Sequence, residues 1–235
     1  MKNHPDFLRS PESALKPDQR NDGGSVFVET GVRPKQLEDQ HKAVARFVLH
    51  EGVPEGIRIQ FETTKNLYLY SWFVYRFYPV AHHHAYTVLE LALRERFEPE
   101  LLAAGEKKRK HGPGLKRLLS YVVEKGHLKN ENFEVWCHQT RINAKLRTFH
   151  EVGEEMERLG LGIMEVDESK IEIKDVDRNH DFLETLLETM PWLRNRYAHG
   201  SKSLHNQVLG TLQIVSEIIN QVYPKADECS SKEVV

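Results

Sequence analysis

The stretch FETTKNLYLYSWFVYRFYPVAHHHAYTVLELALRERFEPELLA, residues 61–103, decides the fold. It reads as one long kinked helix or two consecutive helices. Pro79 marks the break, because proline lacks a backbone N–H and crowds the preceding turn. After it, Val80, Tyr86, Leu89, Leu93 and Phe97 form an apolar face. The same stretch is interrupted by Arg76, Pro79 and three histidines, and is too polar to span a bilayer.

Helical patterns continue on both sides. Leu37, Val44, Phe47 and Val48 lie at helical spacings, and Gly52-Val53-Pro54 stops that helix. LKRLLSYVVEKG (115–126) is a short amphipathic helix ended by Gly126, and residues 131–160 read as a long one. IMEVDESKIEIKDV alternates around a polar tetrapeptide and suggests a small β-hairpin at about 162–177. HDFLETLLETMPWLRNRYAHG is helical, as is the final segment, where Val208, Leu212, Val215 and Ile219 make an apolar stripe. Residues 1–35, with four prolines, read as a disordered or loosely packed arm, in which VFVET (26–30) could form a short strand. The expectation is all-α: a single helical domain over 36–224 with a hairpin insertion, a flexible N-terminal arm and a frayed tail at 225–235.

A chain of 235 residues can bury a sizeable core, and its net charge of −2 marks no general nucleic-acid binder. Any contact with nucleic acid must come from a local basic patch. The N-terminus lacks an apolar core of signal-peptide length. Cys137 and Cys229 have no metal-ligand spacing, so the reading is a soluble protein of a reducing cytoplasm, without a metal or other cofactor.

The chemistry concentrates in PWLRNRYAHGSKS, residues 191–203. Spacing alone carries no weight. Among this many arginines and histidines, any fixed Arg-to-His separation arises roughly once by chance. Arg76 with His82 or His83 matches as well as Arg194 with His199. What sets the last pair apart is Asn195, four residues before His199 and placed to bond one ring nitrogen, and Gly200, a favoured helix terminator. Arginine's fork can hold a scissile phosphate, and histidine can move a 2′-hydroxyl or leaving-group proton near neutral pH. That combination suits RNA cleavage without a metal. One histidine does not easily serve both proton transfers, so a symmetric dimer with two sets makes sense. The plain alternative is a helix C-terminus whose cations complement its dipole.

LRNRYAHGS resembles the signature of the HEPN superfamily (higher eukaryotes and prokaryotes nucleotide-binding domains). AYTVLELALRERF (85–97) and GLKRLLSYVVEKG are similar to two further helices of such bundles. The likeness covers roughly residues 65–223 and is specific at 193–200; the first 60 residues and the 131–176 insertion match nothing in the minimal pattern. It implies a helical bundle and a metal-independent endoribonuclease with Arg194, Asn195 and His199 as catalytic residues. It also implies a homodimer acting on RNA, as a toxin or defence effector restrained by an antitoxin or regulatory protein. Members that have lost catalysis act as nucleotide- or protein-binding modules, which is the alternative.

Arg196, Lys202 and Glu90 are the candidate substrate contacts. Glu90 sits in an apolar run; it either points inward and pairs with Arg194, or lies on a solvated edge and pairs with Arg94. The three histidines 82–84 point about 100° apart on a helix and do not converge on one ion. A hydrogen-bonded core position is expected for His82 or His83. The basic run 106–112 and the aromatic series from Tyr68 to Tyr78 read as a solvated turn and as packing.

Overall fold

A computed structural model describes residues 4–21, 24–105, 112–199, 204–223 and 225. Among the described residues, seven α-helices carry the fold: α1 (Leu37–Ala45), α2 (Glu55–Tyr70), α3 (Phe77–Ala103), α4 (Leu115–Glu124), α5 (Glu134–Leu159), α6 (Phe182–Ala198) and α7 (Leu209–Val222). Among the described residues, no helix is long and apolar enough to cross a membrane.

The opening stretch forms two consecutive helices. The break falls at residues 71–76, and Pro79 stands in the first turn of α3, where its missing N–H would have had no partner in any case. α3 is the axis of the bundle and packs against α2, α7, α4 and α6. Tyr86, Leu89, Leu93 and Phe97 are fully buried, as expected. Val80 is not: it lies about 120° around the helix from Tyr86 at 3.6 residues per turn, and is 47% exposed. On α7 the stripe Val208, Leu212, Val215 and Ile219 is wholly buried, and the Tyr223 hydroxyl donates to the Ala92 carbonyl at 3.0 Å. The α7 residue Asn220 clasps the segment after α1, accepting from the His50 N–H at 3.1 Å and donating to the Val48 carbonyl at 2.9 Å.

The hairpin lies elsewhere than expected. Residues 162–177 contain no strand; they hold two 3-10 turns, Glu168–Lys170 and Asp175–Arg178. Alternation stabilises a strand only when one face is covered, and Ile163, Ile173 and Val176 are all exposed. The segment is held through Asp177 instead. Its carboxylate accepts from Arg147 Nε and Nη2 at 2.9 and 3.0 Å and from the Lys174 N–H at 2.7 Å. The strands are β1 (Ser25–Val28) and β2 (Gly31–Pro34), an antiparallel pair in the N-terminal arm. The strand suspected in VFVET thus has its partner immediately downstream.

That arm is tied down more firmly than its composition suggests. Asp18 is buried; its N–H donates to the Trp72 carbonyl at 2.9 Å, and its carboxylate accepts from Arg9 and Arg20. Burial pushes the Asp18 carboxyl up, but bonds from Arg20 and from backbone N–H groups outweigh it and hold it at about 2. Asn21 donates to the carbonyls of Ser71 and Trp72, so the arm seals the turn between α2 and α3.

Candidate functional site

α6 begins with a conventional cap: the Asp181 carboxylate accepts from the N–H groups of Leu183 and Glu184. It buries Leu183, Leu186, Met190 and Pro191, and ends at Ala198. His199 is the first residue beyond it, exposed, with its N–H donating to the Asn195 carbonyl at 3.0 Å. Gly200 and Lys202 lie outside the described residues, as do 106–111 of the basic run.

Glu90 takes both partners that the sequence offered. Its Oε1 accepts from Arg94 Nη2 at 2.6 Å, one turn along α3. Its Oε2 accepts from Arg194 Nε at 3.1 Å, across the α3–α6 contact, with Arg194 Nη2 at 3.0 Å. One carboxylate, 10% exposed, therefore lies between two guanidinium groups that are 31% and 35% exposed. The cluster carries one net positive charge. Arg194 also donates from Nη1 to Asn195 Oδ1 at 3.2 Å.

The role expected of Asn195 changes accordingly. Its side chain steadies the arginine, and only its backbone carbonyl meets His199. The four-residue spacing would align the two side chains on a continuous helix. His199, however, is already past the end of α6, with φ −87° and ψ 5°. Arg196 is on the exposed face of α6, with its guanidinium 5.3 Å from the ring centre of Trp192. Trp192 is 58% exposed; a large aromatic four residues before an arginine was the available signal for it.

Behind this helix end lies an aromatic cluster that sequence reading missed. His82 is buried, its ring stacked on Tyr86 at 5.3 Å between ring centres and tilted against Tyr197 at 4.4 Å, with the ring of His205 edge-on at 5.5 Å. His82 Nε2 is 2.7 Å from Thr211 Oγ1 and 3.3 Å from the Tyr86 hydroxyl, while the Tyr197 hydroxyl is hydrogen-bonded to His205 Nε2. Burial, and the nearby His205, push His82 down from 6.5 to about 4. It is the hydrogen-bonded core histidine expected of the triplet. His84 bonds Thr64 at 2.7 Å, and His83 is half-buried, pushed down by burial and by the charge of Arg194. The three histidines face three environments.

Among the described residues, no three His, Cys, Asp or Glu side chains come together in a group able to hold a metal ion. The chain matches no protein-family model, no curated protein and no solved structure.

Proposed function

We propose that the end of α6 is an RNA-cleaving site that works without a metal ion, in the manner of the HEPN ribonucleases whose motif it resembles. The observation that carries this reading is the clamping of Arg194 by the buried Glu90 beside the exposed His199. Two arginines on one carboxylate leave one positive charge, suited to a single phosphate. Arg194 is fixed in orientation and still a third exposed, so its fork can meet phosphate oxygens without reorganising. In the reaction the 2′-oxygen attacks phosphorus and the bond to the 5′-oxygen breaks. His199 moves one proton, from the 2′-hydroxyl or to the leaving oxygen. The other transfer falls to His199 of a second copy. The products carry a 2′,3′-cyclic phosphate and a 5′-hydroxyl, and Arg196 over Trp192 offers a flat cationic surface to a neighbouring nucleotide.

The test is cleavage of a structured RNA in EDTA, with the ends of the products identified. The wild-type chain is expected to cleave, and His199→Ala to lose about 100-fold or more in rate. Cleavage that requires a divalent ion, or that survives in the variant, overturns the mechanism.

A second reading has one observation in its favour: the Arg94–Glu90–Arg194 cluster is satisfied within the chain, as a structural ion-pair network would be. On that reading the same surface binds a nucleotide or a partner without cleaving it. Thermal stabilisation by a mononucleotide, with no RNA cleavage at any enzyme concentration, would favour it.

A further inference from the structure

A cleft of about 470 Å³ opens between α6 and α7. Its walls are Leu186, Met190 and Leu193, which share one face of α6, and Leu209 and Ile214 of α7. Tyr86 of α3 reaches it from the core. The volume is that of a small-molecule site, roughly 300–1,000 Å³. Although 29% of the chain is charged, none of the described residues lining this cleft is. Its polar groups are neutral. Asn206 and Gln207, both exposed, bring two carboxamides to it, and Tyr86 and Thr211 bring hydroxyls. The two hydroxyls share one partner, His82 Nε2, at 3.3 and 2.7 Å. Each hydroxyl has one proton and two lone pairs, and the ring nitrogen completes one good bond, so acceptor capacity remains in either tautomer. Burial pushes the Tyr86 phenol up to about 12, which keeps it neutral.

We infer that this cleft binds an adenine ring. Apolar walls suit the faces of a flat heterocycle, and an uncharged lining suits a ligand portion without formal charge. Among the bases, guanine is read best by arginine or lysine and cytosine by a carboxylate, whereas a carboxamide makes two bonds to adenine. The cleft offers carboxamides, and none of its described lining residues carries a charge. The hydroxyl oxygens of Tyr86 and Thr211 add acceptors for an exocyclic amine. The cleft also lies beside the Arg194 clamp. Leu193 directly precedes Arg194, and Tyr86 stands four residues before Glu90, about 6 Å along α3 at 1.5 Å per residue. Ascribing the base to the RNA cleaved at that clamp rests on the reading above; the binding of adenine does not.

Titration calorimetry of the full chain with the four ribonucleosides, which carry no phosphate, tests the cleft directly. Adenosine is expected to bind with a dissociation constant below about 1 mM, and guanosine, cytidine and uridine about tenfold more weakly or worse. Gly210→Leu is the filling variant. Gly210 lines the cleft in the first turn of α7, and a Cβ added there meets no atom within 4 Å. The variant should melt no lower than the wild type, since leucine favours a helix over glycine, and should lose adenosine binding about tenfold or more. Asn206→Ala with Gln207→Ala should flatten the preference among nucleosides at an unchanged melting temperature, both residues being exposed. His199→Ala should bind adenosine as the wild type does, so that failure of cleavage and failure of this site are read apart. Displacement of bound adenosine by oligoadenylate assigns the base to an RNA strand, and displacement by AMP alone to a free nucleotide; either supports the site. A wild type that binds no nucleoside below about 1 mM, equal binding of all four, or a Gly210→Leu chain that holds adenosine as tightly as the wild type overturns the proposal.

Discussion

Arg194→Ala is expected to lower RNA cleavage by about 1,000-fold, the scale on which one preorganised cationic contact to a reacting phosphate acts. The structure makes this substitution cleaner than it would be for most half-buried arginines. Glu90 keeps Arg94 at 2.6 Å when Arg194 is removed, so no carboxylate is left buried and alone. The cost in stability should stay near 1 kcal/mol, because Arg194 is partly exposed. In a chain of this size that amounts to about 2–4 °C in melting temperature. Arg194→Lys should recover little, since an ammonium cannot span Glu90, Asn195 and a phosphate as a planar fork does. Single-turnover cleavage measured beside thermal unfolding separates the two effects. A folded Arg194→Ala chain that cleaves within tenfold of the wild type would falsify the role given to this arginine.

The second large effect is on stability against acid. His82 falls from 6.5 to about 4 on folding, so the fold favours its neutral form. The corresponding stabilisation is complete above pH 6.5 and is lost as pH falls toward 4. At 1.36 kcal/mol per unit the loss reaches about 3 kcal/mol at the acid end. The groups facing His82 are Thr211, Tyr86, Tyr197 and His205, and none of them carries a negative charge that would shelter an imidazolium. Urea unfolding of the wild type should therefore weaken between pH 6.5 and 4.5. His82→Gln, which cannot titrate, should lose much of that slope even if it starts less stable at pH 7. An equal slope in both chains would mean that other groups govern the acid response.

Regular burial was readable from the sequence, and contact across the chain was not. The α7 stripe could be read because its spacing admits one burial pattern, and all four side chains follow it. Residues 162–177 misled because alternation reports a strand only if a second layer covers it. Here Asp177 supplies charged anchors to α5 in place of an apolar face. At the site, the Glu90–Arg94 pair follows from a four-residue spacing. The Glu90–Arg194 pair links residues 104 apart, and nothing in local pattern ranks it above its rival. The aromatic cluster was hidden for the same reason. His82, Tyr197, His205 and Thr211 come from three parts of the chain and meet only when α3, α6 and α7 are assembled.

The place of α7 against α3 also fixes an order of events during synthesis. A nascent chain reaches Ala198 with α6 and the Glu90 clamp already available to it. At that moment the side of α3 that meets α7 is still open to water, and His82 has not yet met Thr211. The histidine can carry a proton until the last described helix leaves the ribosome and Thr211 arrives. The segment after α1 likewise waits for Asn220, some 170 residues downstream, before its carbonyl and N–H at Val48 and His50 are paired. Until α7 is made, the apolar side of α3 that it covers has no partner, and exposed apolar surface of that kind is what chaperones hold.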